Sequence, residues 1–248
     1  MSHIRIDVEN VSFEYETGKR ILKDVSFHAG EGDSIGLIGA NGVGKSTLLK
    51  MLVGLNLQFT GSIRVENIPV EKNTLSEIRS RIGYVFQDSD SQLFMNTVYE
   101  DVAFAPRNYG MSEPEVKRRV EEALHLTGIE YLENRQIYKM SGGEKKLVSI
   151  ATILSMTPDI ILMDEPSIAL DPRNRRNLIH ILNSFDHLKI IASHDLDMIL
   201  DTCQRVILLA HGKIVADGDA KTILQDRALL EANRMELPFC LQGWHGGK

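Results

Sequence analysis

No run of about 18 apolar residues occurs anywhere in this chain, which excludes a membrane-spanning helix. The first residues, Met1-Ser2-His3-Ile4-Arg5-Ile6-Asp7, lack the apolar core of a signal peptide. Cysteine is scarce: Cys203 and Cys240 are the two present, with neither a metal-like spacing nor a disulfide framework. The eight histidines form no HxxxH or comparable ligand pair. Internal repeats and low-complexity linkers are missing. Basic residues do not dominate either, since the formal net charge is −6, which argues against nucleic acid as the main partner. These absences leave a soluble, cytoplasmic, reduced protein. Its 248 residues suffice to bury one core, or one core with a lobe.

What is present begins at Gly39-Ala40-Asn41-Gly42-Val43-Gly44-Lys45-Ser46-Thr47. Asp33–Ile38 reads as a buried strand before it, and Lys45–Leu52 as a helix after it, with Leu48, Leu49 and Leu52 on one side. Between them, glycines let the backbone turn sharply and aim N–H groups inward with no side chain in the way. The helix N-terminus adds partial positive charge. Lys45 suits the β- and γ-phosphates of a nucleoside triphosphate, and the Ser46 hydroxyl suits Mg²⁺. Asn41, Gly42, Gly44, Lys45, Ser46 and Thr47 are therefore candidate nucleotide-binding residues.

The rest reads as α/β with an inserted helical stretch. Ile4–Glu9, Val11–Glu16 and Leu22–His28 are short β segments, and Ser62–Glu66 and Ile82–Phe86 are further strands. A short helix starts at Thr74, where Glu77 has capping-box spacing. From about 96 to 155 the pattern is helical. There Ser112-Glu113-Pro114-Glu115 reads as another capping box with Pro in the first turn, and Val116, Val120, Ala123 and Leu124 line one face. Ile160–Met163, Lys189–Ser193 and Arg205–Leu209 are apolar strands between helices, one of them opened by Asp171-Pro172. The end, Cys240–Lys248, is Gly-rich and is expected to fray.

Asp164 and Glu165 close the run Ile160–Met163. A buried strand ending in two acids puts them at the carboxyl edge of a sheet, where ligands of open α/β folds bind. Phosphoryl transfer needs a metal and a group that orients the attacking water. Asp164 suits the first role and Glu165 the second.

The order of motifs resembles the ATPase subunits of ABC transporters. The phosphate loop is followed by Gln87, by Met140-Ser141-Gly142-Gly143-Glu144 in place of an LSGGQ-like signature, by Asp164-Glu165, by Ala169-Leu170-Asp171 and by His194. The resemblance runs from about Ile4 to Asp226. It implies a P-loop NTPase (RecA-like) core with an antiparallel β subdomain and an inserted α-helical subdomain. It also implies an ATPase domain over 1–226, a helical insert over about 96–155 and a short C-terminal segment over 227–248. By the same resemblance, Tyr15 stacks on adenine, Gln87 touches Mg²⁺ and the attacking water, and His194 contacts the γ-phosphate. Ser141 and Gly143 face a nucleotide held by a partner subunit. Met140 and Glu144 depart from the usual Leu and Gln; the first conserves volume, and the second gains from the helix macrodipole.

Phe86-Gln87-Asp88-Ser89-Asp90-Ser91-Gln92-Leu93-Phe94 looks like the corresponding stretch of energy-coupling factor ATPases, which are related to cobalt and nickel importers. That likeness implies an ATP- and Mg²⁺-dependent subunit at the cytoplasmic face of the membrane. It would pair with a second copy or a homologue, and with transmembrane coupling and substrate-binding subunits. The cargo would be a divalent metal ion or a vitamin. Asp88 and Asp90 are expected to meet arginines of the coupling protein. The alternatives are another ABC importer or exporter, or a soluble ABC protein working on ribosomes or DNA.

Overall fold

A computed structural model describes residues 4–15 and 18–242. Glu16 and the residues beyond Gln242 lie outside the described residues; Cys240, expected to fray with the chain end, is instead held, its N–H donating to Asp197 at 2.9 Å. In chain order the first elements are β1 (Arg5–Glu14), β2 (Arg20–Gly30), β3 (Ser34–Ile38), α1 (Lys45–Leu52), β4 (Phe59–Val65), β5 (Ile68–Pro69) and α2 (Leu75–Arg81). A middle run follows: β6 (Ile82–Val85), α3 (Val98–Asn108), α4 (Glu113–Thr127), α5 (Gly142–Leu154), β7 (Ile160–Asp164) and α6 (Pro172–Ser184). The last elements are β8 (Leu188–Ala192), α7 (Leu196–Thr202), β9 (Arg205–Ala210), β10 (Lys213–Asp219), α8 (Ala220–Gln225) and α9 (Arg227–Ala232). The chain divides into two units, one made of residues up to Arg79 together with those from His187 onward, the other of Ser80–Asp186.

The first unit holds an antiparallel sheet in the order β2-β1-β4-β5. Its β1 is a single strand where the sequence suggests two segments. Ile6 and Val8 are buried, then Val11 and Phe13, so the alternation slips by one residue. A bulge between Val8 and Val11 causes the slip; Asn10 there has φ 50° and its N–H donates to Ser26 Oγ at 2.8 Å. The extra residue lets both halves keep their apolar face inward. The same unit carries strands in the order β10-β9-β3-β8, with β3 parallel to both β8 and β9. Every residue of β3 and β8 is buried, as expected for parallel strands covered on both faces.

In the second unit β6 and β7 pair in parallel, Ile82 with Ile160 through Val85 with Met163, and α3, α4 and α5 pack on one another. Thr97 and Glu100 form a complete capping box at α3. The box expected at Ser112 does not form: the Ser112 side chain makes no cap bond, and Pro114 occupies the first turn. Glu115 turns instead to Arg118 and Arg119, with bonds of 2.6–3.0 Å. Two guanidinium groups outcompete a single backbone N–H for the carboxylate. They hold the Glu115 carboxyl down at about 2.

Candidate functional site: the phosphate loop and the carboxyl ends of the parallel strands

In the first unit the chain leaves β3 at Ile38 and reverses through Gly39–Gly44 into α1. Gly44 is the N-cap, with φ 112°. A Cβ there would lie 2.7 Å from the Leu22 side chain and 3.0 Å from that of Ile21, so both the left-handed backbone and the packing demand glycine. The N-cap therefore offers no side-chain acceptor, and α1 has no acid in its first turn. A helix start of that kind suits phosphate oxygens. Lys45 is 7% exposed, and its Nζ donates to Gly39 O at 2.7 Å. The loop's own carbonyls thus hold the ammonium over the loop. These features fit a nucleoside triphosphate.

Two further candidates lie in the same unit. Tyr15 follows β1 with its ring edge-on to Phe13, centroids 4.9 Å apart, and its hydroxyl lies 3.2 Å from Thr47 Oγ1. That bond ties the ring to α1, while the residue remains 46% exposed, as a stacking platform requires. His194 is exposed and follows β8. Because Leu37 pairs with Ala192 in parallel register, His194 emerges at the same sheet edge as the phosphate loop. Asp195 caps α7 behind it by accepting from Met198 N.

The second unit gathers Gln87, Ser141, Gly143, Asp164 and Glu165. The β6–β7 register puts Gln87 past the carboxyl end of β6 beside Asp164, which closes β7, and Glu165, which follows it. Asp164 and Glu165 are 2% and 5% exposed. Glu165 has φ 49°, a left-handed backbone that costs energy in a non-glycine residue and is typical of functional turns. Burial and the neighbouring Asp164 carboxylate push the Tyr84 hydroxyl far up, so Tyr84 stays protonated beside that acid.

Ser141 caps α5 by accepting from Glu144 N, and Glu144 reaches back to Ser141 N at 2.8 Å and Ser141 Oγ at 2.9 Å. The departure from Gln is thus a complete capping box. The Ser141 N–H bond holds the Glu144 carboxyl below its usual range. Gly143 has a second reason to be glycine: a Cβ would stand 2.8 Å from Ala169 O, because the 167–170 loop packs directly on the start of α5. Asp171 then caps α6, accepting from Asn174 N at 2.8 Å.

The acids expected to face a partner are engaged internally. Lys145 Nζ donates to Asp90 Oδ1 at 2.6 Å, and Asp88 accepts from Asp90 N and Ser91 Oγ at 3.1 and 3.0 Å. Sequence reasoning also passed over Lys146 and Gln92. Lys146 is 2% exposed, and Nζ donates to Phe86 O at 2.9 Å and Gln87 O at 2.7 Å. Burial lowers its pKa, while Asp164, Asp88 and Glu165 oppose that shift. Gln92 accepts from Phe86 N and donates to Ser149 O and Thr152 Oγ1. The helical period carried a signal: Lys146 shares a face with Ile150 and Ile153, both buried.

A glycine-cradled helix N-terminus with a bound lysine, and a buried strand ending in two acids, define a P-loop nucleoside triphosphatase. The narrower class follows from comparison. The ABC transporter family profile matches residues 22–168. A Geobacter sulfurreducens protein named as an ABC transporter ATP-binding protein is 46% identical, over 98% of each chain. The energy-coupling factor transporter ATP-binding protein EcfA of Carboxydothermus hydrogenoformans is 39% identical, over 97% of this chain and 90% of its own. Among solved structures, CbiO1 of Clostridium perfringens, part of the ABC transporter complex CbiONQ, superposes with a TM-score of 0.81. It is 33% identical over 94% of each chain. The chain belongs to the ABC transporter ATPase family: it binds and hydrolyses ATP as an ATPase subunit, on a P-loop α/β core.

Proposed function

We propose that this ATPase subunit energises an importer of the energy-coupling factor type, carrying cobalt, nickel or a vitamin, from the cytoplasmic face of the membrane. The observation that carries this reading is end-to-end likeness to EcfA and to CbiO1. Among the described residues no helix is long and apolar enough to cross a membrane, so transport requires integral partners. Asp88 and Asp90 stay exposed beside their bonds to Ser91 and Lys145, so pairing with arginines of a coupling protein remains part of this reading, which rests on the argument from relatives.

In this reading Lys45 and the loop around Asn41, Gly42, Gly44, Ser46 and Thr47 bind the triphosphate, and Tyr15 stacks on the base. Mg²⁺ would neutralise phosphate charge, with Ser46, Gln87 and Asp164 as the side chains that hold it. Glu165 takes the proton of the attacking water, Gln87 orients that water, and His194 steadies the γ-phosphate. The exposed Ser141 and the half-buried Gly143 at the start of α5 serve a nucleotide bound to a second ATPase subunit, giving a sandwich dimer.

Glu165→Gln tests the chemistry. It should keep ATP binding and lower turnover by roughly 10²- to 10⁴-fold, the worth of a positioned base, and wild-type turnover would refute the assignment. Capture of the tagged chain from membranes tests the transport class. A small integral protein supports it, and ribosomal RNA or DNA in its place refutes it.

A further inference from the structure

Lys146 is a full-length cation in the interior of the second unit, and it belongs to none of the roles above. Burying an ammonium is costly unless it is bonded, and where volume alone is needed an apolar residue serves as well or better. Its bonds go to main-chain carbonyls, those of Phe86 and Gln87, rather than to another side chain. Bonds to carbonyls fix the course of the backbone and leave the Gln87 side chain exposed. Two neighbours reinforce the same attachment: Lys145 holds Asp90 at 2.6 Å, and Gln92 bridges Phe86 N to Ser149 O and Thr152 Oγ1. All three links run from residues 86–92 to α5, whose N-cap is Ser141.

We infer that Lys146 is a positioning residue for hydrolysis, clamping the backbone at Gln87 to α5 so that Gln87 and the Ser141 helix start keep one fixed spacing. The inference rests on the proposed role of Gln87 in orienting water. A shift of that backbone by about 1 Å would misplace the amide, a displacement able to cost roughly 10²-fold in rate.

A double-mutant cycle on the full-length chain tests it, with kcat measured at saturating ATP and affinity measured with a fluorescent ATP analogue. Lys146→Met should lower kcat by roughly 10- to 100-fold with affinity within about twofold. Lys146→Arg, which keeps a cation and its donors, should recover most of the loss. In a Gln87→Ala background, Lys146→Met should add little, because both changes remove one function. Full additivity beside a slow Gln87→Ala would overturn the positioning role. Wild-type turnover in Gln87→Ala would instead sink the role of Gln87, and this inference with it. If Lys146→Met does not fold, Lys146→Gln takes its place in the cycle. Hydrogen exchange supplies a second reading: amides of 87–92 should exchange faster in the variant while Leu147–Leu154 do not, and unchanged protection at 87–92 would overturn the clamp.

Discussion

Glu144→Gln restores the residue commonest in the family signature, yet the structure predicts that it weakens this protein. The Glu144 carboxylate accepts from Ser141 N and Ser141 Oγ at 2.8 and 2.9 Å, closing a capping box of which one half is worth about 1 kcal/mol. Glutamine keeps an oxygen acceptor but loses the negative charge beside the helix N-terminus, worth about 0.3–1 kcal/mol. The expected loss is therefore about 0.5–1 kcal/mol at neutral pH, a fall in Tm of about 1–4 °C for a domain of this size. The pH dependence has a definite sign. Ser141 holds the carboxyl below its ordinary value in the folded chain, so the unfolded chain binds that proton more readily. The stabilisation is complete above the unfolded value and drains away as pH falls through the folded one. Urea unfolding of both chains, from about pH 7 to below the folded value, should show a gap that narrows once the pH passes under the unfolded value and closes below the folded one. A gap that is absent at neutral pH, or constant with pH, would refute the reasoning.

Three further outcomes are expected. Gly143→Ala should cost about 1–3 kcal/mol, since the new Cβ would stand 2.8 Å from Ala169 O; an unchanged melting temperature would show that the 167–170 loop yields freely. Asp90→Ala should cost under about 1 kcal/mol, and less as salt is added, because it breaks a pair whose acid is 68% exposed and therefore screened; a larger loss in thermal melts, or one that does not shrink with salt, would contradict this. Asp197 accepts from Phe239 N and Cys240 N at 2.9 Å each; burial raises its pKa but the bonds from Cys240 and Phe239 outweigh it, leaving the carboxyl low. Asp197→Asn should therefore speed proteolysis after Leu237, as should acidification of the wild type through the folded pKa; unchanged cleavage would exclude the tether.

Motifs confined to a few consecutive residues were legible in the chain itself. The phosphate loop, the strand ending in Asp164-Glu165 and the Asp171-Pro172 helix start each depend on backbone geometry within one turn, which neighbouring residue types dictate. Local reasoning went astray where a distant or competing partner intervened. Ser112 and Glu115 have the spacing of a capping box, but Arg118 and Arg119 take the carboxylate. The bulge at Asn10 hid one strand as two, since a slip of one residue mimics a break in the alternation.

The sequence by itself therefore determined the nucleotide-binding class, the α/β order of elements and the residue types at the site. Tertiary structure alone decided what holds those residues in place. Lys146 meets Phe86 and Gln87 across 60 and 59 residues of chain, and Lys145 meets Asp90 across 55. No periodicity or turn rule reaches that far. Such pairs exist because α5, β6 and the loop after it bury their faces together, and a charge caught in that burial must take the acceptors it finds.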